Sequence, residues 1–335
     1  MYDILKNDRE IWDIFTLKDE YEEGPRDIYG RLPYNLASYK EIDRPVVSHY
    51  LMENGFDLEY PGGGNFAVSL SHDIDVLERS LPRRIYDTLA THELNRLKDN
   101  RRLLNFDRIM DLEERFDSTS TFFFLALRKG DRDFNYDIHR YEREIGEILD
   151  RGFEVGLHGG HGAYSDSRRM KDEKRRLEKA AGDSIKGYRN HFLRFEYPET
   201  WRALRECGIE YDSTLGYANA PGYKNGICYP FKPYDRTERR AIDIWELPLS
   251  VMDRTLIGRM GLDGSNSFDV IKRLVRRVKD LKGVITINWH NSVMSGENGK
   301  LYERLLKFLT SEGGWISNCG EIVDFYRREK LIERF

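Results

Sequence analysis

The chain has 335 residues, of which 39% are hydrophobic and 33% are charged, and its formal net charge is −4. This length and hydrophobic content predict one large globular domain, or one domain with an appendage. Because charges of both signs nearly balance, the composition argues against a nucleic-acid-binding surface. No apolar run approaches the roughly 20 residues that span a bilayer, so we expect no transmembrane segment.

The three cysteines, Cys207, Cys228 and Cys319, are odd in number, and no two of them have a CxxC spacing. They therefore predict neither a disulfide framework nor a thiolate zinc site, and a reducing compartment suits them best. The N-terminus lacks the apolar centre of a secretory signal peptide. Together these observations predict a cytoplasmic protein.

The first part of the chain differs from the rest. Residues 1–64 are polar and aromatic and contain no long periodic segment. We therefore predict that residues 1–64 form an N-terminal appendage packed on a main domain of residues 65–335. Within the main domain, the stretch 76–115 is heavily charged and helical in pattern, which favours a solvated helical insertion over a binding surface.

From residue 120 onward, apolar segments with the pattern of strands alternate with amphipathic segments with the pattern of helices. With an earlier apolar run included, the predicted strands lie at 66–70, 121–127, 153–157, 185–189, 209–212, 243–248, 283–289 and 315–316. The predicted helices lie at 140–151, 167–181, 198–206, 268–281, 301–309 and 321–328. Seven or eight βα units in series predict an α/β fold, a (β/α) barrel, regular or distorted, rather than an open sheet.

One segment interrupts this alternation. Residues 213–242 are rich in glycine, proline and tyrosine, and they are predicted to form a long loop. Loops of this length in compact domains are usually functional. We therefore expect residues 213–242 to take part in function.

Two carboxylates follow the first predicted strand of the barrel. The apolar run Phe66–Leu70 continues into Ser71, Asp73 and Asp75, which alternation places on one side of the chain. Past the carboxyl end of a barrel strand is where such enzymes carry catalytic groups. The alternative is that the carboxylates cap a helix near residues 76–81.

Imidazoles follow two later strands. His158 and His161 come after the third predicted strand, and His290 ends a late one. Because the carboxyl ends of barrel strands meet on one face, we expect these rings to join the carboxylates in one site. Gly159 and Gly160 are expected to let the backbone turn both rings inward. A carboxylate and two imidazoles form a normal set of ligands for a catalytic divalent metal.

These stretches, taken in order, resemble the motifs of the polysaccharide deacetylase family, carbohydrate esterase family four. The resemblance covers roughly residues 66–328 and rests on Ser71-His-Asp-Ile-Asp75, Glu154-Val-Gly-Leu-His158, Gly187-Tyr-Arg189, Tyr211-Asp-Ser-Thr-Leu-Gly216 and Thr286-Ile-Asn-Trp-His290. The resemblance implies a metal-dependent hydrolase that removes an N-acetyl group from an amino sugar in a glycan or a glycan precursor.

The resemblance also implies roles for individual residues. Asp73 would be the catalytic base, Arg189 would hold that base, and His290 would be the acid. Asp75, His158 and His161 would bind the divalent metal ion, with Zn²⁺ the expected ion.

Three further side chains are candidates for contacts with sugar hydroxyls and ring faces, namely Arg194, His191 and Tyr217. The predicted partner is accordingly a carbohydrate substrate. The remaining histidines have no matching context and are expected to be packing or surface residues, namely His49, His72, His92 and His139.

The chain departs from the family pattern at two places. One residue separates Asp73 from Asp75 where the family has adjacent aspartates, so either could be the base and the other the ligand. His161 follows His158 by three residues rather than four, which leaves water, His72 or another side chain as alternatives for that metal ligand.

Three other functions compete with the deacetylase interpretation. One is hydrolysis of a C–N bond in a small non-carbohydrate amide on the same barrel. Another is glycoside hydrolysis with Asp73 and Asp75 as the carboxylate pair, although this leaves the histidines unused. The third is a non-catalytic glycan-binding or scaffold protein that keeps a degenerate site, which the altered motif spacings favour.

Overall fold

The computed structural model describes residues 1–78 and 103–329. Its centre is a nine-stranded sheet in which every ladder between neighbours is parallel. The strands in chain order are β1 Phe66–Ile74, β2 Thr121–Leu125, β3 Glu154–Gly159, β4 Gly187–Asn190, β5 Tyr211–Asp212, β8 Trp245–Glu246, β9 Val251–Met252, β10 Val284–Asn288 and β11 Gly314–Ser317. A separate antiparallel pair is formed by β6 Tyr234–Asp235 and β7 Arg240–Ala241.

Helices connect most of these strands. Within the described residues they are α1 Tyr2–Leu5, α2 Arg9–Phe15, α3 Val46–Glu53, α4 Phe106–Glu114, α5 Glu142–Asp150, α6 Ser167–Ala181, α7 Glu199–Glu206, α8 Gly264–Asp280, α9 Gly296–Ser311 and α10 Cys319–Arg328. The predicted alternation of strands and helices after residue 120 is therefore confirmed, with element ends shifted by a few residues. A helical insertion over 76–115 is described only in part, because residues 79–102 lie outside the described residues.

Strand β1 is the central strand of the sheet. All nine of its residues are buried, as expected for a parallel strand covered on both faces. Residues Ala67–Ser71 pair with β10, while Ser71–Ile74 pair with β2 on the other side. The first half of β1 also pairs with β11. The carboxyl end of β1 therefore lies between the ends of β2 and β10, where polar groups from three strands can meet.

A short segment, residues 245–252, brings the two ends of the sheet together. At its start, Trp245 and Glu246 pair with β5, and at its end, Val251 and Met252 pair with β10. Between them, the backbone N–H of Leu249 donates to Leu215 O at 2.8 Å. Because the same segment bonds to strands on both sides, it closes the sheet into a distorted barrel, as the sequence predicted.

The N-terminal residues pack on the segment 213–242. The N–H of Val47 donates to Gly226 O at 2.8 Å, and the Tyr2 hydroxyl donates to Lys232 O at 2.9 Å. Side chains of α1 to α3 belong to the same apolar cluster as the barrel strands. The division into an appendage of residues 1–64 and a barrel of residues 65–335 stays a prediction.

The three cysteines are free and buried. None of the described helices is both long enough and apolar enough to cross a membrane.

Candidate active site

The carboxyl ends of four barrel strands surround one cavity. Asp73 is the penultimate residue of β1, and His158 is the penultimate residue of β3. His191 directly follows β4, and His290 follows β10 by two residues. The cavity has a volume of about 630 Å³. Among the residues that line it are Asp73, Asp75, His158, His191 and His290. Side chains from separate parts of the sequence therefore meet at one place, as the barrel prediction required.

Asp73 is held by two side chains from other strands. Its Oδ1 accepts a hydrogen bond from Arg189 Nη1 at 2.9 Å, and its Oδ2 accepts one from Asn288 Nδ2 at 2.7 Å. Burial alone would raise the pKa of this carboxyl, but the charge of Arg189, with smaller effects from His158 and His290, outweighs burial and lowers the pKa. Asp73 is therefore an ionised, oriented carboxylate at the cavity wall.

Arg189 itself is completely buried. Besides Asp73, it donates to Ser71 Oγ at 2.8 Å, to Ser213 O at 2.9 Å and to Ser213 Oγ at 2.9 Å, while its guanidinium lies 4.5 Å from the centroid of the Phe123 ring. A buried guanidinium with this many partners has little freedom to move. The contact to Ser71 also confirms that Ser71 and Asp73 face the same side of β1.

Asp75, His158 and His191 form a compact group of ligand-type side chains. One atom from each residue lies within 4.8 Å of the other two. Asp75 Oδ1 is 3.2 Å from His158 Nε2 and 3.7 Å from His191 Nε2. The side chain of Asp75 is 20% exposed, so the group opens to the cavity. Three ligands with one open side match the arrangement of a catalytic metal site.

The chemistry of this group fits a divalent cation. His158 Nδ1 donates to Arg189 O at 2.9 Å, so Nε2, which lies 3.2 Å from Asp75 Oδ1, is the ring nitrogen placed to bind a metal ion. Asp75 Oδ1 is buried and has no hydrogen-bond donor among the described residues. Burial raises the pKa of Asp75, but His191 and His290 outweigh it and hold that pKa well below its usual value, whereas burial lowers the pKa of His191 to about 4. An ionised carboxylate beside a neutral imidazole, here Asp75 beside His191, is the protonation state in which such residues bind metal.

Asp253 contacts the nitrogen of the His290 ring that lies away from the cavity. His290 Nδ1 lies 2.6 Å from Asp253 Oδ1, and the His290 N–H donates to Asp253 Oδ2 at 3.3 Å. On the cavity side, His290 Nε2 is 3.4 Å from Asp75 Oδ2. Burial lowers the pKa of His290, but Asp253 and then Asp75 outweigh it and hold the pKa well above 6.5. The ring is therefore a protonated imidazolium that presents Nε2–H to the cavity.

The grouping differs from the sequence prediction at one histidine. His191 joins Asp75 and His158, whereas His161 lies beside Asp133, with Nδ1 3.4 Å from Asp133 Oδ2. The physical reason is the register of neighbouring strands. Gly159 at the end of β3 is opposite Asn190 at the end of β4, so the residue that follows β4 lies level with the end of β3. His161 is already in the turn that leads away from β3.

The expected role of Gly159 and Gly160 needs correction. Neither glycine has a positive φ, so they do not serve to turn the backbone. A Cβ at Gly159 would lie 2.0 Å from Tyr188 Oη, and one at Gly160 would lie 2.5 Å from Leu127 Cδ2. The glycines are required because neighbouring side chains pack directly against the backbone.

The other two predicted substrate residues lie away from the cavity lining. Arg194 donates to Tyr29 O at 3.1 Å, to His161 O at 2.7 Å and to Tyr164 Oη at 2.8 Å, so its guanidinium links the N-terminal residues to the barrel. Tyr217 is 7% exposed and packs with apolar residues from the N-terminal part and the 213–242 segment. Of the segment 213–242, Ala218 lines the cavity. Substrate contacts by Arg194 and Tyr217 stay predictions.

Two of the histidines without a matching context have other partners. His72 is fully buried, with Nδ1 2.6 Å from Trp289 O and Nε2 2.8 Å from Glu113 Oε1, so both of its nitrogens are used outside the cavity. His139 lies at the surface beside Glu142. His72 is therefore a packing residue and does not supply a missing ligand.

Sequence reasoning missed Asp253, Asn288 and Asp133. Asp253 directly follows the two-residue strand β9, just as Asp75 directly follows β1, but so short a strand leaves no periodic signal. Asn288 is the last residue of β10 and precedes His290 by two residues, so alternation could have placed it beside the site. Asp133 has a φ of 68°, a strained backbone for a non-glycine residue, which the sequence does not reveal.

The chain was compared with known proteins. Neither models of known families nor curated proteins gave a match. Among solved structures, a protein from Mycobacterium smegmatis provisionally described as a polysaccharide deacetylase aligns with a TM-score of 0.60 and 19% identity, covering 82% of this chain and 94% of that chain. A family 4 carbohydrate esterase from Streptomyces lividans in complex with acetate aligns with a TM-score of 0.44 and 11% identity, covering 76% and 92%.

A third structure, a family 4 pseudoenzyme from Bacillus anthracis, aligns with a TM-score of 0.44 and 13% identity over 76% of this chain and just under two thirds, 64%, of that chain. The Mycobacterium smegmatis alignment extends over most of both chains and shows a shared fold. The chain thus has the fold of a polysaccharide deacetylase, as the resemblance of its strand-end motifs predicted.

Proposed function

We propose that this protein is a metal-dependent hydrolase that removes an N-acetyl group from an amino sugar in a glycan or a glycan precursor. The observation that carries the proposal is the arrangement around Asp75. An ionised carboxylate, Asp73, and an imidazolium, His290, line the same cavity as Asp75, and His290 Nε2 lies 3.4 Å from Asp75 Oδ2. Amide hydrolysis needs both a base and an acid near the attacked carbonyl, and the cavity offers both.

Asp75, His158 and His191 are the residues we assign to the metal ion. When bound, a divalent ion such as Zn²⁺ lowers the pKa of a coordinated water to about 7 and polarises the amide carbonyl. Asp73 then accepts the proton of the attacking water at Oδ1 or Oδ2. Arg189 keeps Asp73 ionised and oriented for this step, since its guanidinium is fixed by four further hydrogen-bond and ring contacts.

The departing nitrogen must receive a proton, because an amide anion is too poor a leaving group. His290 is the group that supplies it from Nε2–H. Asp253 holds the other ring nitrogen and so fixes both the orientation of the ring and the nitrogen that faces the substrate. We therefore assign Asp253 as a positioning residue for His290.

The substrate class rests on the strand-end motifs, which resemble those of carbohydrate deacetylases. We further propose that the protein acts in the cytoplasm, which its free, buried cysteines support. In that compartment a glycan precursor is a more accessible substrate than a finished cell-wall polymer.

The glycoside hydrolase alternative has little support from the site. A glycosidase needs one carboxyl group with a raised pKa to protonate the leaving oxygen. The pKa values of Asp73 and Asp75 are both lowered. Neither carboxyl group is therefore suited to act as that acid.

Metal analysis combined with acetate release tests the proposal. The protein is depleted of metal with a chelator, Zn²⁺ is added back, and bound metal and acetate released from N-acetylglucosamine oligomers are measured. We expect about one ion per chain and activity only after addition. His158→Ala should lose both, whereas His139→Ala, a surface histidine beside Glu142, should lose neither.

Other results would favour the competing functions. A chain that binds no divalent ion even after addition would support the non-catalytic alternative. A chain that binds metal and releases acetate from small amides, but not from sugars, would support a C–N hydrolase of non-carbohydrate substrates.

A further inference from the structure

One wall of the active-site cavity is unusually rich in arginine. Arg31, Arg254 and Arg259 line it together with the catalytic and ligand-type residues. The three carboxylates that line the same cavity already face cationic or imidazole partners: Asp73 contacts Arg189, Asp75 contacts three histidines, and Asp133 lies beside His161 and His191. The arginines therefore do not serve to balance the acidic groups of the site.

Two of the arginines belong to one helical turn. Residues Arg254–Arg259 form a π-helical segment, in which the N–H of Met260 donates to Thr255 O at 2.9 Å. In a π-helix, residues five apart are about one turn apart, which places Arg254 and Arg259 on the same side of the segment. Such segments are rare and occur frequently at functional sites. Both arginines line the cavity, as this geometry requires.

These two arginines make few hydrogen bonds with the described residues. Arg254 Nη2 donates to Ser292 Oγ at 3.2 Å, and Arg259 makes no side-chain hydrogen bond to the described residues. Within residues 1–78 and 103–329, neither guanidinium has a carboxylate within ion-pair distance, and both side chains are exposed to the cavity and solvent. Two guanidinium groups with most of their donors free are therefore available to a ligand.

Arg31 supports these two arginines from the N-terminal part of the chain. It is fixed by an ion pair with Asp27, 2.6 Å long, and by a hydrogen bond to Phe192 O. Burial lowers the pKa of Arg31, and the positive charge of Arg259 lowers it further, which indicates that the two groups are near each other. Because Asp27 neutralises Arg31, the positive charge at this wall that an anion could pair with is that of Arg254 and Arg259.

We propose that Arg254 and Arg259 bind an oxyanion, a carboxylate or a phosphate, that the substrate carries near its N-acetyl group. Guanidinium groups suit this task because their planar donors match both kinds of oxyanion. The inference rests on the proposed function in taking the substrate to carry an N-acetyl group, whereas the oxyanion is inferred from the arginines themselves. A neutral amino sugar would leave the arginines without a partner, whereas an acidic sugar or a sugar phosphate would satisfy them.

The same turn connects this anion site to the catalytic acid. Asp253, which holds His290, directly precedes Arg254 and accepts the Arg254 N–H at 2.7 Å. An anion bound by Arg254 and Arg259 is therefore held by the element that positions the catalytic acid. This arrangement places the anionic end of the substrate on the His290 side of the cavity.

Binding measurements on the zinc-loaded Asp73→Asn protein test the proposal without turnover. The probes are N-acetylglucosamine, which is neutral, N-acetylglucosamine 1-phosphate and N-acetylmuramic acid, which carries a carboxylate. Affinities are measured by calorimetry. We expect at least one anionic probe to bind about 10- to 100-fold more tightly than the neutral one, the range expected for hydrogen bonds to a charged group. Which anionic probe gains more identifies the oxyanion.

Two double variants of equal charge change separate the arginine site from a general charge effect and from binding to the metal. In Arg254→Gln/Arg259→Gln, we expect the advantage of the anionic probe to disappear while the affinity for N-acetylglucosamine is unchanged. The control, Arg273→Gln/Arg276→Gln, removes two exposed arginines of α8 outside the cavity and should keep the advantage.

The proposal is wrong if neither anionic probe binds more tightly than the neutral one, or if neither binds at all. It is also wrong if Arg254→Gln/Arg259→Gln retains the full advantage, since the metal would then be the anion's partner. These results do not depend on acetate release, so failure of the anion site is distinguishable from failure of the proposed hydrolase activity.

Discussion

Two pairs of carboxyl groups lie within this barrel or at its cavity, and their surroundings shift their pKa values in opposite directions. Asp73 and Asp75 lie among Arg189 and three histidines, and their pKa values are lowered. Asp212 and Glu246 are opposite each other on β5 and β8. Burial raises the pKa of Asp212 to about 6, and burial together with Asp212 raises that of Glu246 well above its usual value.

The partners of the second pair are neutral donors for the most part. Glu246 accepts from Trp201 Nε1 at 2.8 Å and from the Leu215 N–H at 3.1 Å, and Asp212 accepts from Thr214 Oγ1 at 2.5 Å. The comparison teaches that burial and residue type alone do not make a reactive carboxylate. A cation within contact distance keeps a buried carboxyl group ionised, and among the described residues such cations contact Asp73 and Asp75 but not Asp212 and Glu246.

The largest effect is expected from substitutions of Asp73 and Asp75, the pair at the end of β1. Asp73→Asn should lower kcat by about 100- to 10,000-fold, the usual contribution of a general base, and should keep the metal, because Asp73 is not among the ligand-type group. Asp75→Asn should lose both metal and activity. Acetate release and metal content of the two variants are compared. If Asp73→Asn loses the metal and Asp75→Asn keeps it, the two roles are exchanged.

The next effect concerns the third metal ligand. His191→Ala should weaken metal binding by more than about 100-fold, beyond the range seen for residues that only support a ligand, whereas His161→Ala should weaken it by less than about 10-fold. Metal affinity by competition with a chelator measures both. The reverse order would restore the sequence prediction that His161 is the ligand.

A smaller effect is expected when the pKa of His290, the imidazolium beside Asp75, is changed. Asp253→Asn removes the charge that raises the pKa of His290, so that pKa should fall. A general acid works while it is protonated, and its contribution is lost as pH rises above its pKa. The alkaline loss of activity should therefore move to lower pH, with about a 10-fold deficit at about pH 8. An unchanged pH profile of kcat would contradict the role of Asp253.

The smallest effect is expected at the second pair, and on stability alone. When folding raises the pKa of a carboxyl group, that group stabilises the folded state at pH values below its pKa in the unfolded chain. This contribution is lost as the pH rises through the pKa in the folded state, which is about 6 for Asp212. Asp212→Asn should lessen this loss by about 1–3 kcal/mol between about pH 4 and 8. Urea unfolding at both pH values measures it, and equal slopes in the two proteins would contradict the comparison.

The sequence predicted the barrel and most of the residues that meet in its cavity. Strands such as β1 and β10 are continuous apolar runs, and parallel strands can only place their carboxyl ends together. Asp73, Asp75, His158 and His290 could therefore be assigned to one face from strand position alone. The charged segment at about 167–181 predicts a helix, and α6, Ser167–Ala181, lies there in the structure.

What the sequence could not supply depends on contacts between strands. The choice between His161 and His191 follows from the register of β3 against β4, which no local pattern encodes. Asp253 follows a strand of two residues, too short for alternation to be recognised. The arginines of the cavity come from the N-terminal part and from the π-helical segment, and only the folded chain brings them to the same wall.

The length of the segment 245–252 limits how this protein can evolve. Because it bonds to β5 at one end and β10 at the other, adding or removing a single residue would reverse which side chains point inward and would move Asp253 away from His290. Residues 254–259 are free of that constraint. Relatives that evolve toward new substrates are therefore expected to vary in length and charge just after Asp253, while the stretch before it keeps its length.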